Sequence, residues 1–124
     1  MRNPAKLIST AASVIAVIGT LAIAPVAFGA EEALSVTEQG KRLAFDRKKG
    51  NCLACHMIAG GDLAGNIGPP LIAMKARFPD KAKLREQVYD ARMANPNTIM
   101  IPFGPHGVMS DEEIDKVVEF IYTL

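Results

Sequence analysis

Two cysteines three positions apart, followed at once by a histidine, constrain this chain more than any other feature. Cys52-Leu53-Ala54-Cys55-His56 reads as a covalent haem attachment site. Thiols at that spacing reach the two vinyl groups on one edge of a porphyrin and form thioethers. The adjacent histidine then comes up beneath the iron as its proximal ligand. The chain holds only 2 cysteines, so attachment uses both. Three other readings compete: a thioredoxin-type dithiol, a structural disulfide and half of a zinc site. The first wants a strand–helix context in a βαβ pattern, and the last wants two further ligands at matching spacing. The sequence offers neither.

The amino terminus points to export. Arg2 and Lys6 precede an apolar stretch from Leu7 to Phe28, and small residues around Gly29 and Ala30 stand just before Glu31-Glu32. That layout predicts a secretory signal peptide over residues 1–29 and a domain over 30–124. An uncleaved membrane anchor is the rival reading, weakened by Gly19 and Pro25 within the run. Export fits covalent haem attachment, which in bacteria is periplasmic chemistry. No stable membrane span is expected after cleavage.

A remaining domain of about 95 residues buries only a modest core by itself. A haem at its centre adds a large apolar surface, which lets 5 Phe, 2 Tyr and no Trp suffice. Without Arg2 and Lys6, the 14 basic residues fall to 12 against 13 acidic ones, a charge near −1. That balance, with no basic–aromatic interleaving, argues against nucleic-acid binding.

Helical signals bracket irregular segments. Ser35 or Thr37 caps a first helix running through Phe45 to about Arg47, and Gly40 within it serves a close approach by another helix. Residues 60–70, dominated by Gly, Pro, Asn and Asp, form a loop. Pro79-Asp80 opens a second helix that ends before Asn95-Pro96. Ser110 and Glu113 form a capping box for the last helix, where Ile114, Val117, Val118, Ile121 and Leu124 make a buried stripe with Phe120 beside it. No stretch alternates, so the fold class is all-α with long loops, which a haem allows because the loops bury their apolar residues against it.

This order of helix, attachment motif, loop, helix, loop and capped terminal helix resembles a class I c-type cytochrome over essentially the whole mature chain. The resemblance implies one covalent haem c and a crossing of first and last helices at Gly40, where Phe45 meets Phe120 or Tyr122. The family's aromatic usually stands four residues after the glycine, where this chain has Ala44. Gly68-Pro69-Pro70-Leu71 resembles the family's G-P-x-L segment, in which the first proline's carbonyl accepts the proximal histidine's second ring N–H. Pro69 would then orient His56 and raise its basicity.

For the distal ligand the sequence offers Met57, Met74, Met93, Met100, Met109 and His106. Met57 adjoins His56 and cannot reach the opposite haem face. Met74 and Met93 fall near helix positions, where filling core space is the expected role. Met100, in Asn97-Thr98-Ile99-Met100-Ile101-Pro102-Phe103, resembles the family's M-P-x-F ligand loop with Ile101 intervening before Pro102. His106 is its rival, and Met109 or an open site follows.

The combined strings Gly50–His56, Gly65–Leu71, Arg77-Phe78-Pro79-Asp80 and Asn95-Pro96 through Phe103-Gly104 resemble the SoxX family, monohaem subunits of SoxAX cytochrome complexes in thiosulfate oxidation. That resemblance implies a SoxA-type partner carrying the catalytic haem and a downstream electron acceptor. It leaves no catalytic residue in this chain. An independent soluble electron carrier is the first alternative, and a haem enzyme or gas sensor with a vacant distal site is the second. Lys75, Arg77, Lys81, Lys83 and Arg85 form a basic cluster that reads first as a solvated helix face, and otherwise as a docking surface or an offset to the haem propionates. Arg47-Lys48-Lys49 is ambiguous in the same way.

Overall fold

The computed structural model describes residues 34–124, so the expected leader over residues 1–29 lies outside the described residues. Four α-helices follow in order: α1 Val36–Phe45, α2 Met74–Arg77, α3 Lys81–Tyr89 and α4 Asp111–Ile121. Single 3-10 turns lie at Cys52–Ala54 and Ala91–Met93, and no strand occurs among the described residues. The expected all-α class with long loops is the observed one.

Helix α1 begins at Ser35, whose hydroxyl accepts the Glu38 N–H at 3.2 Å. It stops at Phe45, two residues short of the expected Arg47, where Asp46 takes an extended conformation. Gly40 and Ala44 face inward. A Cβ on Gly40 would overlap the backbone carbonyl of Lys116, so α1 and α4 cross with their main chains nearly touching. Beside that crossing the Phe45 and Phe120 rings meet edge to face, 5.8 Å apart at 86°. The fifth position after the glycine therefore supplies the aromatic, and Ala44 fills the inner face instead.

Helix α4 carries the expected capping box: Ser110 Oγ accepts the Glu113 N–H, and Glu113 Oε2 accepts the Ser110 N–H. Its stripe of Ile114, Val117, Val118 and Ile121 is buried together with Phe120, while Leu124 is half-buried. The carbonyl of Leu124 accepts the Met74 N–H at 2.9 Å, which ties the four-residue α2 to the residues that follow α4.

Helix α3 differs from expectation. Asp80 caps it and Leu84 and Val88 are buried, but it ends at Tyr89 rather than continuing toward Asn95. Asp90 adopts φ −153° and turns its carboxylate onto the Arg92 N–H, starting a separate turn at Ala91–Met93. A short carboxylate side chain offers the backbone an alternative to the helix, and here that alternative wins. The break leaves Met93 83% exposed, which corrects the expectation that it fills core space. Met74 does fill it, at 2% exposure.

Most of the basic cluster is spent on helix packing. Arg85 bonds Asp111 and Asp115, Lys81 bonds Glu119, and Lys83 bonds Glu86 within α3. Lys75 lies over the Tyr122 ring. Lys49, next to the attachment motif, pairs with Glu113 at 2.7 Å. These pairs sit at the surface, where each contributes about 0–1 kcal/mol.

Candidate functional site

The segment around the two cysteines is shaped by its own backbone. Asn51 stands in the left-handed region at φ +46°, and the 3-10 turn after it closes with the His56 N–H on the Cys52 carbonyl at 2.8 Å. That turn sets Cys52, Cys55 and His56 on one wall of a pocket. The following loop is laced back along the turn. The N–H groups of Gly65, Gly68 and Leu71 donate to the carbonyls of Leu53, Cys55 and Met57 at 2.7, 2.8 and 2.9 Å.

The pocket measures about 460 Å³. That volume lies within the range of about 300–1,000 Å³ typical of cofactor sites. Leu71, Met74, Leu84, Val88 and Phe103 give it an apolar interior. Met100 enters its lining from the loop between the Ala91–Met93 turn and α4.

His56 is held in one tautomer. Its Nδ1 lies 2.7 Å from the Pro69 carbonyl oxygen, which can only accept, so Nδ1 donates there and Nε2 is the nitrogen left to face a ligand. The ring leaves no room beside Gly68, where a Cβ would stand 2.5 Å from His56 Cε1. Burial pushes the Cys52 thiol up to about 11, and the neighbouring Cys55 adds to the rise. Among the described residues no cluster of three or more His, Cys, Asp or Glu side chains forms around a metal position, so nothing there completes a zinc site.

These residues fit a haem. The pocket is deep and apolar, two thiols lie on its wall, and a histidine beside them has Nε2 free to ligate. The structure brings together Cys52, Cys55, His56, Pro69 and Met100 at this one pocket. It keeps the other distal candidates apart. His106 is exposed and outside the lining, Met109 is buried in the core outside it, and Met57 is 57% exposed. Met74 does line the pocket, and its sulfur accepts an N–H from Arg77 at 3.5 Å. Ile101, the inserted residue before Pro102, stays 47% exposed at the rim while Pro102 and Phe103 are buried.

Two lining residues carry weight the sequence reading did not give them. Arg77, expected on a solvated face with the neighbouring lysines, lines the pocket and donates to the Pro70 carbonyl at 2.7 Å. Thr98 accepts the Met100 N–H on its hydroxyl at 3.1 Å. A Thr two residues before a methionine is a local signal for such a turn.

Comparisons with known proteins agree with this geometry. The family model described as cytochrome C oxidase, cbb3-type, subunit III matches residues 36–121. The crystal structure of SoxXA from P. pantotrophus contains a chain that superposes with a TM-score of 0.64 at 29% identity, covering 70% of this chain and 80% of that one. An uncharacterized lipoprotein of Aquifex aeolicus (strain VF5) is 37% identical over 79 residues, 60% of this chain. The chain spans only 37% of that curated relative's length.

Proposed function

The chain belongs to the cytochrome c oxidase, cbb3-type, subunit III family, and from that premise we propose that it is the SoxX-like electron-transfer subunit of a periplasmic SoxAX-type complex. It is a SoxX-like class I c-type cytochrome, an electron-transfer protein with covalently bound haem c, and Cys52 and Cys55 fit the attachment motif. The observation that carries the finer reading is the likeness to a chain of the SoxXA crystal structure, while the hydrogen bond from His56 Nδ1 to the Pro69 carbonyl, in the pocket that Met100 also lines, supports the ligand assignment.

Haem c supplies reversible one-electron exchange at its iron. On this reading Cys52 and Cys55 tether the group on one edge, and His56 offers Nε2 to the iron. Pro69 fixes the imidazole's tautomer and plane and makes it a stronger donor. Met100 would offer its thioether to the iron, which would favour the ferrous state and raise the potential. The apolar walls would keep water away from the bound group. Ile67, Ile99 and Ile101 stand exposed at the pocket rim, where an electron-exchanging partner meets the group.

The signal-peptide layout of residues 1–29 supports a periplasmic location. The SoxXA neighbour supports a SoxA-type partner, with which this subunit passes on electrons released when thiosulfate is coupled to a carrier-protein cysteine. With both thiols on haem and His56 on iron, no nucleophile remains for the sulfur chemistry itself. The test is purification from the periplasm of thiosulfate-grown cells. This chain should co-purify with a larger cytochrome and show no thiosulfate conjugation alone. A chain that purifies as a free monomer, or that conjugates by itself, defeats the assignment.

A further inference from the structure

Among the described residues Asp90 is the only buried charged side chain, at 9% exposure, and the haem reading leaves it without a role. It stands where α3 stops and the approach to Met100 begins. Its Oδ1 accepts the Arg92 backbone N–H at 3.1 Å and the Nε–H at 2.8 Å, and its Oδ2 accepts from Nη2 at 2.7 Å. One carboxylate thus caps the turn at Ala91–Met93 and grips the guanidinium at two points.

From that turn, short bonds lead to Met100. The Asn95 N–H donates to the Ala91 carbonyl at 3.0 Å, and the Thr98 N–H donates to the Asn95 carbonyl at 3.0 Å. The Met100 N–H then reaches Thr98 Oγ1 at 3.1 Å. The far end of the loop returns to the same corner: the Gly104 N–H donates to the Tyr89 carbonyl at 3.1 Å. Gly104 also lies so close on the Tyr89 ring that a Cβ would overlap it. The segment 95–104 is therefore bracketed at both ends by residues 89–92.

We propose that Asp90, through its grip on Arg92, is the positioning residue that sets how firmly Met100 is presented to the pocket and how readily an outside ligand displaces it. This rests on Met100 as the distal ligand. A thioether is a weak, neutral donor, so its hold depends on a loop that arrives already shaped. The Arg92 side chain is 46% exposed, so the carboxylate fixes it rather than the core. Loss of that anchor frees one end of the bracket while Tyr89 and Gly104 keep the other.

The test uses the full haem-loaded protein, with imidazole as the probe. Ferric Asp90→Ala should bind imidazole about fivefold more tightly than the parent, the weight of one capping hydrogen bond. Asp90→Asn, which keeps an acceptor for the Arg92 N–H, should fall between them. In a Met100→Ala background, Asp90→Ala should change imidazole affinity by less than about twofold, because the coupling runs through Met100. Glu119→Gln, which breaks the Lys81 pair elsewhere on the surface, should leave the affinity at the parent's value. Should Asp90→Ala fail to fold, Arg92→Gln carries the same comparison. Unchanged imidazole affinity, or an equal gain with and without Met100, overturns the proposal. If Met100→Ala alone leaves the parent's far-red sulfur-to-iron absorption intact, the ligand assignment itself fails and takes this inference with it.

Discussion

Replacing Gly40 by alanine sets two opposed effects against each other, and the structure decides which wins. Within a helix, alanine is favoured over glycine by about 0.5–1 kcal/mol. The new methyl, however, would overlap the Lys116 carbonyl oxygen, and that obstacle is backbone. No rotamer change relieves it, so α1 and α4 must separate. Overpacking of this kind costs about 1–3 kcal/mol. Separation also loosens the Phe45–Phe120 edge contact, worth about 0.5–1.5 kcal/mol. The net expectation is a destabilisation of about 2 kcal/mol, or a fall of about 10 °C in Tm for a domain of this size. Guanidinium unfolding of the haem-loaded protein, followed by far-ultraviolet circular dichroism, measures it. A variant as stable as the parent would refute the claim that the two backbones touch.

Gly68→Ala places a methyl against the His56 ring and should weaken its bond to Pro69, so the ferric spectrum should shift toward high spin while the helical signal stays at the parent's level. Acid–acetone treatment should leave the colour with the protein, because thioethers at Cys52 and Cys55 survive it. Lys49 and the Ser110 N–H hold the Glu113 carboxyl below its ordinary range, so the stabilisation is present above the unfolded value and lost as pH falls through the folded one. Glu113→Gln keeps an acceptor for the capping box but loses the charge. It should cost roughly 0.5 kcal/mol at pH 7 and nothing once the parent's carboxyl is protonated, as paired denaturation curves at the two pH values would record. Arg92 likewise holds the Asp90 carboxyl low, so the parent should lose stability in acid that Asp90→Asn does not lose further.

What the sequence made legible was what short spacings control. The capping box at Ser110, the stripe on α4 and the close approach at Gly40 each follow from residues within a few positions of one another. The attachment motif is equally local, and the pocket gathers its residues with Pro69 and Met100. What escaped depends on partners distant in sequence or on side chains competing with the backbone. Helix α2 is tied at its first residue to the Leu124 carbonyl, a contact no local pattern announces. Tyr89 ends α3 because Asp90 prefers the Arg92 N–H to helical geometry, and that break moved Met93 to the surface. Arg77 read as surface charge because its carbonyl partner at Pro70 lies in the loop that the haem motif folds back upon itself.

The central claim is an iron held between His56 and Met100 in a haem joined to Cys52 and Cys55. Near-infrared magnetic circular dichroism of the purified ferric protein tests it most directly, since the charge-transfer band reports both axial ligands at once. The account predicts a low-spin histidine–methionine signature in the parent and its loss in Met100→Ala. A bis-histidine signature, or a high-spin iron in the parent, would contradict it.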